Sequence, residues 1–159
     1  MLAHAGLLLT PWGCPHRGRA PQLLFEDPTN RTLWLGKAMP REWLSPGLPP
    51  VVVRNATTRY GRVSYVLSVE AGARAAGGTY RVHANVTLPS SFVGKSGPPG
   101  GLRVRLRAPV AHAGKMGRVT VGGKAWTAMN AKAETIDFAP ATITASLLTQ
   151  LQLIVAEWS

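Results

Sequence analysis

Cysteine and acid are what this chain has least of. A single Cys, Cys14, in 159 residues excludes an intrachain disulfide, so packing rather than cross-linking has to hold the fold. It also removes the paired-cysteine motifs of structural zinc. Cys14 and His16 are close, but His4, His83 and His112 sit at no zinc-like spacing, so neither a metal nor another cofactor is expected. Only 7 Asp and Glu stand against 18 Lys and Arg. Glycoside cleavage needs two positioned carboxyls, and the only adjacent acids, Glu26 and Asp27, lie in a segment that reads as a turn. There is no Gly-x-Ser-x-Gly elbow, no Walker-type phosphate loop, and no recognisable His and Asp partner for a Ser or Thr nucleophile. No catalytic residue is therefore assigned, and the chain on its own is not expected to be an enzyme. Long apolar runs are missing too. No window approaches the roughly 18 uninterrupted apolar residues of a membrane helix, so a soluble chain without membrane contact is expected. Leu7-Leu8-Leu9 has no basic residue before it and is broken by Pro11, Trp12 and Gly13, short of the about 7–15 residues of a secretory signal. No signal peptide is recognised, and the compartment stays open.

What is present points to strands. Apolar residues make up 45% of the chain, and 17 Gly with 13 Pro leave little room for long helices. The length suits one domain with a sizeable core. Residues 1–20 read as a tail or the remnant of a preceding helix. Residues 21–159 read as a single β-sandwich domain, with an irregular hairpin part over 21–50 and core strands over 51–158. Residues 22–25 and 32–35 are short strands around a turn-forming Asp-Pro-Thr-Asn cluster. Pro40, Pro46, Pro49 and Pro50 leave room for one helical turn at Arg41-Glu42-Trp43-Leu44, where Trp43 is expected to plug the sheet edge. Val63, Tyr65, Leu67 and Val69 alternate along one strand, and Tyr80, Val82, Ala84, Val86 and Leu88 along the next, so the two are expected to pair. Residues 90–101 form a Gly, Pro and Ser return between sheets. Gly122-Gly123 marks a two-residue hairpin, because tight hairpin turns need positive φ. Residues 142–157 fit either period; Thr142, Ile143, Thr144 and the alternation Leu151, Leu153, Val155 tilt the reading to strands. Seven or more short strands with regular turn signals imply an all-β, antiparallel β-sandwich.

The most regular stretch is Leu102-Arg103-Val104-Arg105-Leu106-Arg107, which puts three apolar side chains on one face of a strand and three arginines on the other. The arginines would project about 6.6 Å apart, with Arg81, Arg62 and Lys124 nearby if those strands are neighbours. Such a ridge suits sulfated or uronic polysaccharide. Nucleic acid is the weaker partner, since the RNA-recognition aromatic signature and helix-turn-helix patterns are absent. The plainer reading is a solvated face of a basic protein, because residues 71–133 hold ten basic residues and no acid. Trp34 and Trp126 invite a sugar-stacking role but sit in strand-like pieces where packing roles are commoner. Asn30, Asn55 and Asn85 each open an Asn-x-Thr glycosylation sequon, in turns or on outward strand positions.

The succession Pro21-Gln22-Leu23-Leu24-Phe25-Glu26-Asp27-Pro28, Leu33-Trp34-Leu35, Met39-Pro40-Arg41-Glu42-Trp43-Leu44 and Thr58-Arg59-Tyr60-Gly61-Arg62-Val63-Ser64, followed by the arginine run, Val119-Thr120-Val121-Gly122-Gly123-Lys124-Ala125-Trp126 and Glu134-Thr135-Ile136, forms an ordered series. It resembles the C-terminal β-sandwich that follows the (α/α)6 barrel of six-hairpin glycosidases, over about Pro21 to Trp158. The resemblance implies a non-catalytic domain packed against a catalytic barrel, in cis or in trans, and favours a secreted protein. The barrel and its acids are not in this chain.

Overall fold

The computed structural model describes residues 23–70 and 79–158; the expected tail at residues 1–20 lies outside them. Five strands form one sheet, in the order β1 (Leu24–Glu26), β2 (Leu33–Leu35), β6 (Leu102–Arg105), β10 (Thr135–Phe138) and β9 (Met129–Asn130). Six form the other: β3 (Val51–Thr58), β4 (Gly61–Val69), β5 (Tyr80–Thr87), β11 (Ile154–Trp158), β7 (Met116–Val121) and β8 (Lys124–Ala125). Neighbours are antiparallel except β2 and β6, which run parallel. The all-β, sandwich-like expectation holds.

The core lies between the sheets, and strand alternation selects it. Leu33, Leu35, Leu102, Val104, Ile136 and Phe138 face inward from the five-stranded sheet. Val63, Tyr65, Leu67, Tyr80, Val82, Ala84, Val86, Val119, Val121, Ile154, Ala156 and Trp158 answer from the six-stranded one, all at most 2% exposed. The strands at 61–69 and 80–87 pair, with Leu67 opposite Ala84. Gly122 and Gly123 take φ of 56° and 78° and join β7 to β8. The return over 90–101 carries two 3-10 turns, Ser90–Phe92 and Gly94–Ser96, and buries Phe92. It ends at Gly101, whose φ is 80° and where a Cβ would fall 2.2 Å from the Phe138 carbonyl oxygen.

Three local expectations are corrected. The segment 142–157 is not all strand: α1 (Ala145–Gln150) precedes β11. Thr144 caps that helix, its Oγ1 accepting from the Leu147 N–H at 3.2 Å, and Leu147 and Leu151 bury themselves four residues apart. Trp43 does not plug an edge. The 3-10 turn Arg41–Leu44 buries Leu44 and leaves Trp43 38% exposed. Finally, β6 ends at Arg105 rather than running on through Arg107, although burial keeps alternating through Leu106 and Ala108.

Leu106 is fully buried and Val110 is 76% exposed. Leu106→Ala is expected to lower unfolding free energy by about 2–5 kcal/mol, and Val110→Ser to change it by less than about 0.5 kcal/mol. Urea midpoints measure both; equal effects would contradict this core.

Candidate functional site

The arginine run does not stand free. Arg103 lies in one cross-strand row with Phe25, Trp34 and Asp137, each opposite the next across β1, β2, β6 and β10. It pairs with Asp137 through Nε, and its guanidinium sits 4.7 Å above the Trp34 ring. Lys37 Nζ lies 3.3 Å from the Phe25 ring centre and 5.4 Å from that of Trp34. Cations therefore already lie over these rings, an arrangement favoured by the ring quadrupole. Trp126 is half-buried, tilted against Phe138, and its indole N–H donates to the Asp137 carbonyl at 3.2 Å. Both tryptophans pack.

Arg105 and Arg107 reach sideways to the chain that follows β2. Arg105 Nη1 donates to the Lys37 carbonyl and Arg107 Nη1 to the Met39 carbonyl, each at 3.2 Å. Just beyond that segment Arg41 turns inward. Its Nη1 donates to the Ala108 carbonyl at 2.6 Å and lies 2.7 Å from Glu134 Oε2. Glu134 is fully buried with φ 55°, rare for a residue with a side chain. Its Oε1 accepts from the Gly114 N–H at 3.2 Å, and its carbonyl accepts from the Leu106 N–H at 3.0 Å. Burial lowers the Arg105 guanidinium's affinity for its proton, the Arg107 charge adds to this, and Glu134 opposes it.

A buried aromatic pair adjoins the cluster. Tyr80 and His112 stack with ring centres 5.1 Å apart, and the Tyr80 hydroxyl donates to the Leu44 carbonyl. Among the described residues, Arg105 Nε, Arg107 Nε, His112 Nε2 and Glu134 Oε2 of this cluster are buried without a hydrogen-bond partner, and Glu134 Oε2 meets Arg41 as an ion pair. The site thus engages one carboxylate with Arg41 and the Gly114 amide, Arg105 being near enough to feel its charge. Its chemistry is that of a structural tie with surplus positive charge. It offers no acid and base pair.

Arg81 is not part of this cluster, which corrects the expected neighbourhood. It lies in β5 of the other sheet, bonded to Glu157 at 2.9 Å and Glu70 at 3.3 Å; the Glu70 hydrogen bond is the largest influence raising its pKa. Arg62 and Lys124 also belong to the six-stranded sheet. The sequon asparagines are all exposed: Asn30 in the turn after β1, Asn55 at the β3 bulge, and Asn85 in β5. His83 is on the outer face of β5, opposite Ser68 and Val155. Sequence reading missed Glu134, Arg41 and Lys37. The one available signal was Glu134 itself, the first acid after a long acid-free stretch.

Among the described residues no three His, Cys, Asp or Glu side chains come together as a metal site, and no helix is long and apolar enough to cross a membrane. No family model matches the chain, and no curated protein or solved structure matches it.

Two outcomes are expected. Arg41→Met leaves Glu134 buried without its cation and lowers stability by about 2–4 kcal/mol, below the top of the buried-pair range because Arg41 retains 19% exposure. Combining it with Glu134→Gln costs less than the two single changes added, a double-mutant cycle read from denaturant melts; strict additivity would dissolve the tie. The second concerns alkali. Burial holds the Tyr65 and Tyr80 phenols well above the usual tyrosine range, with the Glu134 charge adding at Tyr80. Unfolded tyrosines ionise near pH ~10 while these stay protonated, so their contribution is fully present below that pH. Above it, stability falls by about 1.4 kcal/mol per pH unit for each. Tyr65→Phe should flatten the fall in stability measured between pH ~9.5 and ~11; an unchanged slope would remove Tyr65 from the explanation.

Proposed function

We propose that the chain is a non-catalytic accessory β-sandwich of a glycoside-hydrolase-like protein, docked on a catalytic (α/α)6-type barrel. The carrying observation is where the arginines point. Arg103 is held by Asp137 within the sheet, and Arg105 and Arg107 hold the Lys37 and Met39 carbonyls, which fastens the segment after β2 beside β6. Arg41 then joins that segment to the loop around Ala108. On these two joined loops Trp43, Leu48 and Val110 stand 38%, 53% and 76% exposed. Large apolar side chains presented on a rigid support suit a protein contact rather than free solvent. A surface for acidic polysaccharide or nucleic acid would need the same guanidiniums free of their internal acceptors, so docking is the better-supported reading. The ordered series of residues that resembles the domain after a six-hairpin barrel supplies the kind of partner.

The test uses the purified chain and the (α/α)6-barrel glycosidase-like protein of the same source. Expected are co-elution of the two in gel filtration, no hydrolysis of an oligosaccharide panel by the chain alone, and about tenfold or greater loss of affinity in Trp43→Ser with Leu48→Ser. Turnover by the chain alone that survives repurification, or no association with the barrel, would reject the reading.

A further inference from the structure

Three of the chain's four asparagines, Asn30, Asn55 and Asn85, open Asn-x-Thr sequons; Asn130 is the exception. Ser and Thr together number 21 in 159 residues, so chance would place one two positions after a given Asn only about one time in eight. Two of the three have a structural reason to be Asn. Asn30 Nδ2 donates to Asp27 Oδ2 at 3.0 Å, and hydrogen bonds from Asn30 hold the Asp27 carboxyl below its usual range. Asn55 takes φ 50° at the β3 bulge, a conformation asparagine tolerates better than most residues.

Asn85 has no such reason. It lies within the regular ladder of β5, where asparagine is a poor strand former, and its side chain makes no hydrogen bond among the described residues. Its cross-strand row on the outer face is apolar, although His83, Thr87, Ser64 and Ser68 flank that row. Val66 of β4 is directly opposite it, Val52 of β3 is opposite Val66, and Leu153 sits one residue before the Ile154–Ala84 pair on the other flank. Val52 and Leu153 are 42% and 52% exposed. Thr87, two residues along the strand and on the same face, is also exposed.

We infer that Asn85 is an N-glycosylation site whose first sugars lie over the Val52–Val66–Leu153 row. The co-reactant is a lipid-pyrophosphate-linked oligosaccharide, presented by an oligosaccharyltransferase. Asn85 Nδ2 forms a bond to the anomeric carbon, the bond from that carbon to the phosphate oxygen breaks, and the lipid pyrophosphate leaves with the electron pair. The amide gives up one N–H proton to a base of the transferase. Thr87 supplies the hydroxyl by which a sequon is recognised, and the apolar row then gains a cover that the described residues do not provide. This assignment stands apart from barrel docking, and it requires that the chain pass through a secretory lumen.

The test is made on the chain isolated from its own source and on the chain directed into the secretory pathway of a eukaryotic host. Peptide-N-glycosidase should increase its gel mobility and convert Asn85 to Asp in the released peptide. Asn85→Gln and Thr87→Ala should each remove one mobility step, and Thr87→Ser should keep it. That pattern follows sequon chemistry and is not what a folding defect produces. The deglycosylated protein and Asn85→Gln should both shift toward larger species in gel filtration as the row is uncovered. An unmodified Asn85 peptide from both preparations would overturn the assignment. So would a modified Asn85 peptide that survives Thr87→Ala.

Discussion

One buried carboxylate organises the end of the molecule where the loops meet. Glu134 occupies a left-handed backbone conformation inside the protein, and its two oxygens reach Arg41 from one loop and the Gly114 amide from another. A carboxylate taken out of water survives only with compensation of this kind, because its desolvation otherwise outweighs whatever packing it gains. The backbone strain, of order 1–3 kcal/mol for a residue that is not glycine, is retained because surrounding structure fixes it. The Glu134 carbonyl accepts from Leu106 immediately after β6, so the residue that ties the loops also extends the sheet.

The ion pairs of this protein run across the fold rather than along the chain, within a net charge of +11. The stretch from 71 to 133 looks uniformly cationic, yet its Arg81 is paired by Glu70 and Glu157, and its Arg103 by Asp137, all from outside the stretch. With Glu26 on Arg59 and Glu134 on Arg41, five of the seven acids are in ion pairs with arginine. A further acid, Asp27, closes the β1–β2 turn through Asn30 and Thr29. A count of local charge therefore overstates how much positive surface is free to meet a polyanion. What remains unpaired at Arg105 and Arg107 is bound to backbone carbonyls and partly buried.

Strand alternation was legible because it is a local property with a two-residue period. The inward sets of β4 and β5, the face of β6 and the Gly122-Gly123 hairpin all follow from neighbours in sequence. Sheet membership was not, because it depends on which distant strands pair. Arg81 was expected near Arg103 only if their strands were neighbours, and it lies in the opposite sheet. At 142–157 two periods competed, and the outcome turned on a cap: Thr144 accepts from the Leu147 amide and starts a helix before β11 begins. Trp43 was expected to turn in and Leu44 does so instead, since a single 3-10 turn points adjacent side chains in different directions and composition does not say which turns in. The Arg41–Glu134 tie joins residues 93 apart in number, and no local pattern announces it.

The outer faces of the two sheets are finished by different chemistry, and this separates the roles assigned to them. On the five-stranded sheet, Lys37 and Arg103 lie over Phe25 and Trp34, and Asp137 closes the row, so aromatic surface there is covered by the chain's own cations. On the six-stranded sheet the row through Val52, Val66 and Asn85 has no long cationic side chain within it, and its apolar members remain open at the margins. The glycan proposed on Asn85 would occupy that face. The proposed barrel docking would use the end carrying Trp43, Leu48 and Val110, where Arg41 and Glu134 tie the loops. A protein bound at the loop end leaves Asn85 accessible, because Asn85 lies in the ladder of a sheet face and not on those loops. The two assignments make separate demands on the same fold, and neither requires the arginine run to contact anything but the protein's own backbone, carboxylates and rings.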